Sequence, residues 1–120
     1  MAVGDIYKMF VRFENSPNGK ERYTVEVGQI SLGVIVMDSI TSQYHTKSDV
    51  IKKQYYPIKD WQQAGLKKPS YIDIKSSCTY NMLDILRNAK YTGQLTLRDV
   101  QDLAEFIKSY KERLNASKKS

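Results

Sequence analysis

The sequence predicts a mainly β domain: five to six, or at most seven, short strands in a small, strongly bent sheet that closes into a barrel, with one helix at the C-terminus. Three observations predict it. Apolar and polar residues alternate over Asp5–Phe13 and resume over Arg22–Val27. A run rich in β-branched residues spans Leu32–Ile40. From Leu97 onward the apolar residues recur every three or four positions, the period of a helix.

Within Asp5–Phe13, Tyr7, Met9, Val11 and Phe13 share one face and form the expected core-facing side of the first strand. Asn15, Ser16, Pro17, Asn18 and Gly19 follow, and Asn-Gly is a strong turn signal because both residues tolerate positive φ. Arg22–Val27 reads as the second strand, with Tyr23, Val25 and Val27 on one side, and Gly28-Gln29 as the next turn. Leu32–Ile40 then reads as a central strand covered on both faces.

Thr41–Lys68 is a polar excursion without a repeat. Asp60 can cap a short helix through Gln63 that Gly65 ends, with Trp61 as the anchor packing the excursion onto the barrel. Tyr71–Ile74 is a short strand, and Asn81–Arg87 fits a strand or a helical turn equally well. Lys90–Leu95 is one more short strand. Thr96 followed by Asp99 makes a capping-box-like start for the last helix. Its stripe is Leu97, Val100, Leu103, Ala104, Ile107, Tyr110 and Leu114, about five turns, so residues 1–114 form the domain and 115–120 a flexible basic tail.

The chain has 120 residues, room for one core. Lys and Arg number 19 against 13 Asp and Glu, a net charge of +6 that favours a polyanionic partner. Part of the excess lies in the tail, in Lys108, Lys111, Arg113, Lys118 and Lys119 against Glu105 and Glu112, so the folded body is less basic than the total implies. The single cysteine, Cys78, excludes an intrachain disulfide. No signal peptide and no spanning segment is read from the chain, and the expectation is a cytoplasmic protein with no membrane partner.

Elimination narrows the chemistry. One histidine and one cysteine cannot build a zinc cluster. There is no Gly-rich phosphate loop and no G-x-S-x-G elbow. With His45 alone, a ribonuclease using one histidine as base and another as acid is excluded. Any catalysis is expected to work without metal or cofactor, by positioning and by stabilising anionic charge. Arg22 starts a strand after a turn, and its planar fork suits two phosphate oxygens at once. Thr41 sits where an apolar strand gives way to polar chain, which suits a functional hydroxyl or a turn-forming one. Tyr55 and Tyr56 can stack on bases or simply pack.

Several strings fall in a telling order: Gly4-Asp5-Ile6-Tyr7, Lys20-Glu21-Arg22, Ile40-Thr41-Ser42-Gln43, Lys68-Pro69-Ser70-Tyr71-Ile72-Asp73, then Gly93-Gln94-Leu95 and the terminal helix. In order and spacing they resemble the MazF/PemK family, toxins of bacterial toxin–antitoxin modules, over roughly Gly4 to Leu114. The resemblance implies an SH3-like barrel, a homodimer, and an endoribonuclease (an mRNA interferase) that cuts single-stranded RNA without metal. The products would be a 2′,3′-cyclic phosphate and a free 5′-hydroxyl. It implies an acidic antitoxin as inhibitor, with operator DNA reached only through the antitoxin complex. Arg22 and Thr41 match the family's catalytic pair, and the Glu14–Lys20 loop is expected to cover the RNA groove. Glu14, Asn18, Lys20, Ser42, Gln43, His45, Lys68 and Tyr71 are the expected RNA contacts, with Glu14, Glu21 and His45 as candidate bases for the 2′ proton. The chain departs from the family in carrying Tyr23 where proline usually follows the arginine.

Overall fold

The computed structural model describes residues 2–12 and 16–119. The order of elements is β1 (Asp5–Arg12), β2 (Gly19–Ser31), β3 (Val34–Thr41), α1 (Asp49–Lys52), β4 (Tyr55–Pro57), β5 (Tyr71–Asn81), α2 (Met82–Asn88), β6 (Lys90–Gln94) and α3 (Leu97–Lys119). The fold is mainly β with a C-terminal helix, as the periodicities predict. All strand pairings are antiparallel, in the order β4-β5-β3-β2-β1-β6. The expected closure into a barrel is not seen: β4 and β6 remain the two edges of one open sheet.

Both faces of the sheet are covered. Ile6, Val25, Ile40 and Ile72 face Tyr56, Ile58, Ala64, Leu66 and Leu103, so the excursion and α3 pack on one side. Tyr7, Ile35 and Met37 pack with Ile85 of α2 on the other. This corrects the expectation for β1. Ile6 and Tyr7 are both buried, on opposite faces, and the apolar set Tyr7, Met9, Val11 is only half of what β1 contributes. Phe13 and Asn15 lie outside the described residues.

Glycine explains two further departures. The expected turn at Gly28-Gln29 is instead an irregularity within β2, between Glu26 and Gly28. A strand glycine marks either a turn or a bulge, and here the ladder continues past it. The chain reverses at Leu32-Gly33, where Ser31 pairs with Val34 and Gly33 takes φ +78°. β5 is also longer than expected, 11 residues rather than four, because β3 pairs with it along its whole length.

Asn81 resolves the ambiguous segment in favour of a helix. Its side chain accepts from Leu83 N at 2.9 Å and caps α2. Asp60 does not cap a helix. Residues 60–65 form successive turns, and the Asp60 carboxylate accepts from Thr96 Oγ1 at 2.6 Å and from Arg98. Trp61 does pack, partly buried, against the larger core.

Thr96 begins α3 as expected, but the capping box is rewired. Asp99 is wholly buried. Its carboxylate accepts from Tyr56 Oη at 2.5 Å, Lys59 N at 2.9 Å and Asp60 N at 2.8 Å. Burial and this carboxylate push the Tyr56 phenol well above its usual range. Along α3 the buried side is Asp99, Val100, Leu103, Phe106 and Ile107, whereas Leu97 and Ala104 are exposed. Among the described residues no helix is long and apolar enough to cross a membrane.

Candidate functional site

β2 and β3 bring the two singled-out residues together. Tyr23 pairs with Ile40, and one step further along each strand stand Arg22 and Thr41. Arg22 is also the partner of Met9, and Thr41 the partner of Tyr71, which in turn pairs with Pro57. Met9, Arg22, Thr41, Tyr71 and Pro57 therefore form one row across the sheet. Tyr23 pairs with Lys8 on one side and Ile40 on the other. Position 23 is therefore not a strand entry but an interior position of β2, held by a strand on each side.

Arg22 and Thr41 line one cleft of about 340 Å³, with Lys20, Glu21, Ser42, Gln43, Lys67, Lys68 and Ser70 among its walls. Four cationic side chains face one carboxylate there, so the field favours an anion. The Thr41 oxygen accepts from Gln43 N at 3.0 Å, which closes the turn and leaves the hydroxyl proton to donate elsewhere. Among the described residues the Arg22 guanidinium makes no hydrogen bond or ion pair.

Arg22 is shared with a second groove of about 310 Å³ that holds Arg12, Ser39, Asp73, Ser76 and Cys78. The Asp73 carboxylate there accepts from Gln54 Nε2 and Lys75 N, both at 3.0 Å. Burial and Asp73 raise the Tyr55 phenol, and the Arg22 charge pulls it back down.

The expected contacts divide. Lys20, Ser42, Gln43 and Lys68 line the cleft with Arg22 and Thr41. Tyr71 stands beside Thr41 in the row. Asn18 is exposed at the approach to β2, its N–H donating to Ser16 Oγ at 3.1 Å, and is not part of the cleft wall. His45 is exposed, lies edge-on to Tyr44 with ring centroids 5.5 Å apart, and does not line the cleft. Glu14 lies outside the described residues. Of the candidate bases, Glu21 lines the cleft. Tyr55 and Tyr56 are buried, so both pack.

Sequence reading missed Lys67, Ser70 and Tyr44. The Lys67-Lys68 doublet was a visible signal for the first. Tyr44 had no such signal beyond following Ser42-Gln43. Its ring stacks on Tyr71 with centroids 4.2 Å apart and planes 8° from parallel. Among the described residues no group of three or more His, Cys, Asp or Glu side chains is placed to hold a metal ion. Compared with known proteins, the chain matches no family model and no curated sequence.

Proposed function

We propose that this protein is a toxin endoribonuclease that cleaves single-stranded RNA by metal-independent transesterification. The observation that carries the reading is the shared cleft, lined by Arg22 from within β2, by Thr41 at the end of β3 and by three lysines. The RNA supplies its own nucleophile. Its 2′-oxygen attacks the adjacent phosphorus, the bond from phosphorus to the 5′-oxygen breaks, and a 2′,3′-cyclic phosphate and a 5′-hydroxyl form. The 2′ proton leaves to a base, and the departing 5′-oxygen takes up a proton. Arg22 neutralises charge on the pentavalent phosphorane with its two-pronged fork. Thr41 donates to a non-bridging oxygen. Glu21 is the carboxylate in the cleft available to take the 2′ proton. Lys20, Lys67 and Lys68 hold the flanking phosphates. On this reading the protein works in the cytoplasm as a homodimer, and an acidic antitoxin segment occupies the same basic cleft.

Purified protein incubated with single-stranded RNA in EDTA is the test. Cleavage that survives chelation, yields cyclic-phosphate ends and is lost in Arg22→Ala supports the reading. Intact RNA at high protein concentration overturns it.

A second reading is a nucleic-acid-binding domain without chemistry. It is favoured by the Thr41 oxygen accepting from Gln43 N, the signature of a turn-forming hydroxyl. It predicts salt-sensitive RNA binding without cleavage.

A further inference from the structure

Beside the Arg22–Thr41 row stands a column of three groups that the proposed chemistry does not use. Tyr71, the partner of Thr41 across β3 and β5, is its floor. Tyr44 lies flat upon it, centroids 4.2 Å apart and planes 8° from parallel. The Lys52 ammonium sits over the Tyr44 ring at 5.2 Å from its centroid. Tyr55 supports the column from the side, its centroid 6.2 Å from that of Tyr44.

A core aromatic pair usually settles edge-on or offset among apolar neighbours. This one has the offset-stacked geometry but is only half-buried and is covered by a cation rather than by a hydrocarbon side chain. The Tyr44 face under Lys52 is thus an electron-rich surface held by a charge on a flexible four-carbon stem. Such a cover yields readily to a nucleobase, because every base has a π-face that stacks on an aromatic ring. The displaced ammonium then remains within reach of the nucleotide's own phosphate. Ser42 and Gln43 line the cleft and Tyr44 follows them in the chain, while Tyr71 beneath it pairs with Thr41, so this surface adjoins the cleft.

The geometry points to Tyr44 as a base-stacking platform for one unpaired nucleotide of single-stranded RNA, next to the Arg22–Thr41 cleft, with Lys52 moving from the ring to the adjoining phosphate when the base arrives. The inference rests on the RNA reading above but not on cleavage.

A fluorescent 2′-O-methyl RNA oligonucleotide, which lacks the attacking hydroxyl, separates the two. Anisotropy gives its affinity for wild-type protein, Tyr44→Phe, Tyr44→Leu and Lys52→Met. Tyr44→Leu keeps an apolar cover on Tyr71, and thermal melting checks that it folds. The expected result is a loss of about 10- to 100-fold in Tyr44→Leu and near wild-type binding in Tyr44→Phe. An abasic substitution moved along the oligonucleotide should weaken wild-type binding most at one position, and that penalty should vanish in Tyr44→Leu. Lys52→Met should lower the slope of log affinity against log salt by about 0.7. In wild-type protein, 5-iodouridine at the sensitive position should crosslink to Tyr44 on illumination. Equal affinity of Tyr44→Leu and wild type, with crosslinks elsewhere, overturns the inference while leaving the nuclease reading intact. Binding with all these signatures but no cleavage of ordinary RNA supports the platform and overturns the nuclease. An oligonucleotide that wild-type protein does not bind at all overturns both.

Discussion

The Tyr56 hydroxyl donates to the Asp99 carboxylate at 2.5 Å and so ties β4 to the first turn of α3. The same carboxylate takes the backbone N–H groups of Lys59 and Asp60. An aspartate expected to reach back to its own helix start has been turned outward to hold a neighbouring segment.

Removing that acceptor is expected to be costly. Asp99→Ala leaves three donors without their partner and should lower stability by about 2–4 kcal/mol. Tyr56→Phe removes only one donor and should cost about 1 kcal/mol. Urea denaturation followed by far-UV circular dichroism measures both, and an Asp99→Ala as stable as wild type contradicts the role given to this residue.

Asp38 gives a pH dependence of defined sign. Its carboxyl is buried and raised from 3.8 to about 6, chiefly by burial, with the hydrogen bond from Ser77 Oγ opposing and Asp73 adding to the rise. The folded protein therefore holds a proton that the unfolded chain has already released between pH about 4 and about 6. Stability falls as pH rises through that window, by about 3 kcal/mol in total at the level of this one group. Asp38→Asn should be more stable than wild type at pH 7.5 and should show a shallower slope. Some slope should persist, because burial also raises Glu26, whose Oε1 has no hydrogen-bond partner among the described residues. Denaturation midpoints at pH 5 and pH 7.5 decide the matter.

Arginine at position 22 is expected to resist conservative replacement. Lysine keeps the charge but loses the planar fork that spans two phosphate oxygens. If the proposed chemistry holds, Arg22→Lys should cleave RNA about 100- to 1,000-fold more slowly than wild type. Its melting temperature should be nearly unchanged, since the side chain makes no hydrogen bond among the described residues. Initial rates on one defined RNA are the readout, and an Arg22→Lys that cuts at the wild-type rate contradicts the bidentate role.

Gly93 is a packing constraint. A Cβ there would lie 2.2 Å from the carbonyl oxygen of Ala64. Gly93→Ala must push the 60–66 segment off β6, at a cost of about 1–3 kcal/mol. Trp61, carried by that segment, is the only tryptophan and reports the shift as a change in emission wavelength. An unchanged emission spectrum together with unchanged stability contradicts the close approach.

The parts of the fold legible in the sequence are those whose signal is local. β1 and α3 announce themselves by period and β3 by its β-branched run, and Asn81 completes a helix that the apolar spacing left undecided. Tyr55–Pro57 pairs as a strand only because β5 is beside it, which three residues cannot signal alone. Gly28 reads as a turn until a partner strand continues past it, and the Asp60 helix fails because Thr96 and Arg98, far along the chain, claim its carboxylate. The site follows the same division. Thr41 ends β3, as the change from apolar to polar chain suggests, whereas Arg22, read as a strand start, lies inside β2 because β1 pairs with the three residues before it. Tyr44 lies in the polar excursion, where no period reports what a ring lies against.

The two outer strands are guarded differently, and this bears on how copies of the chain can meet. β4 is three residues long and ends in Pro57, which has no N–H to offer an incoming strand. β6 is hemmed by the Ala64–Gly65 backbone, close enough to leave no room for a side chain on Gly93. Neither border offers a long open ladder for another molecule to extend. Self-association by sheet extension, the usual route to fibrils, is thereby discouraged, and any ordered assembly is left to side-chain surfaces.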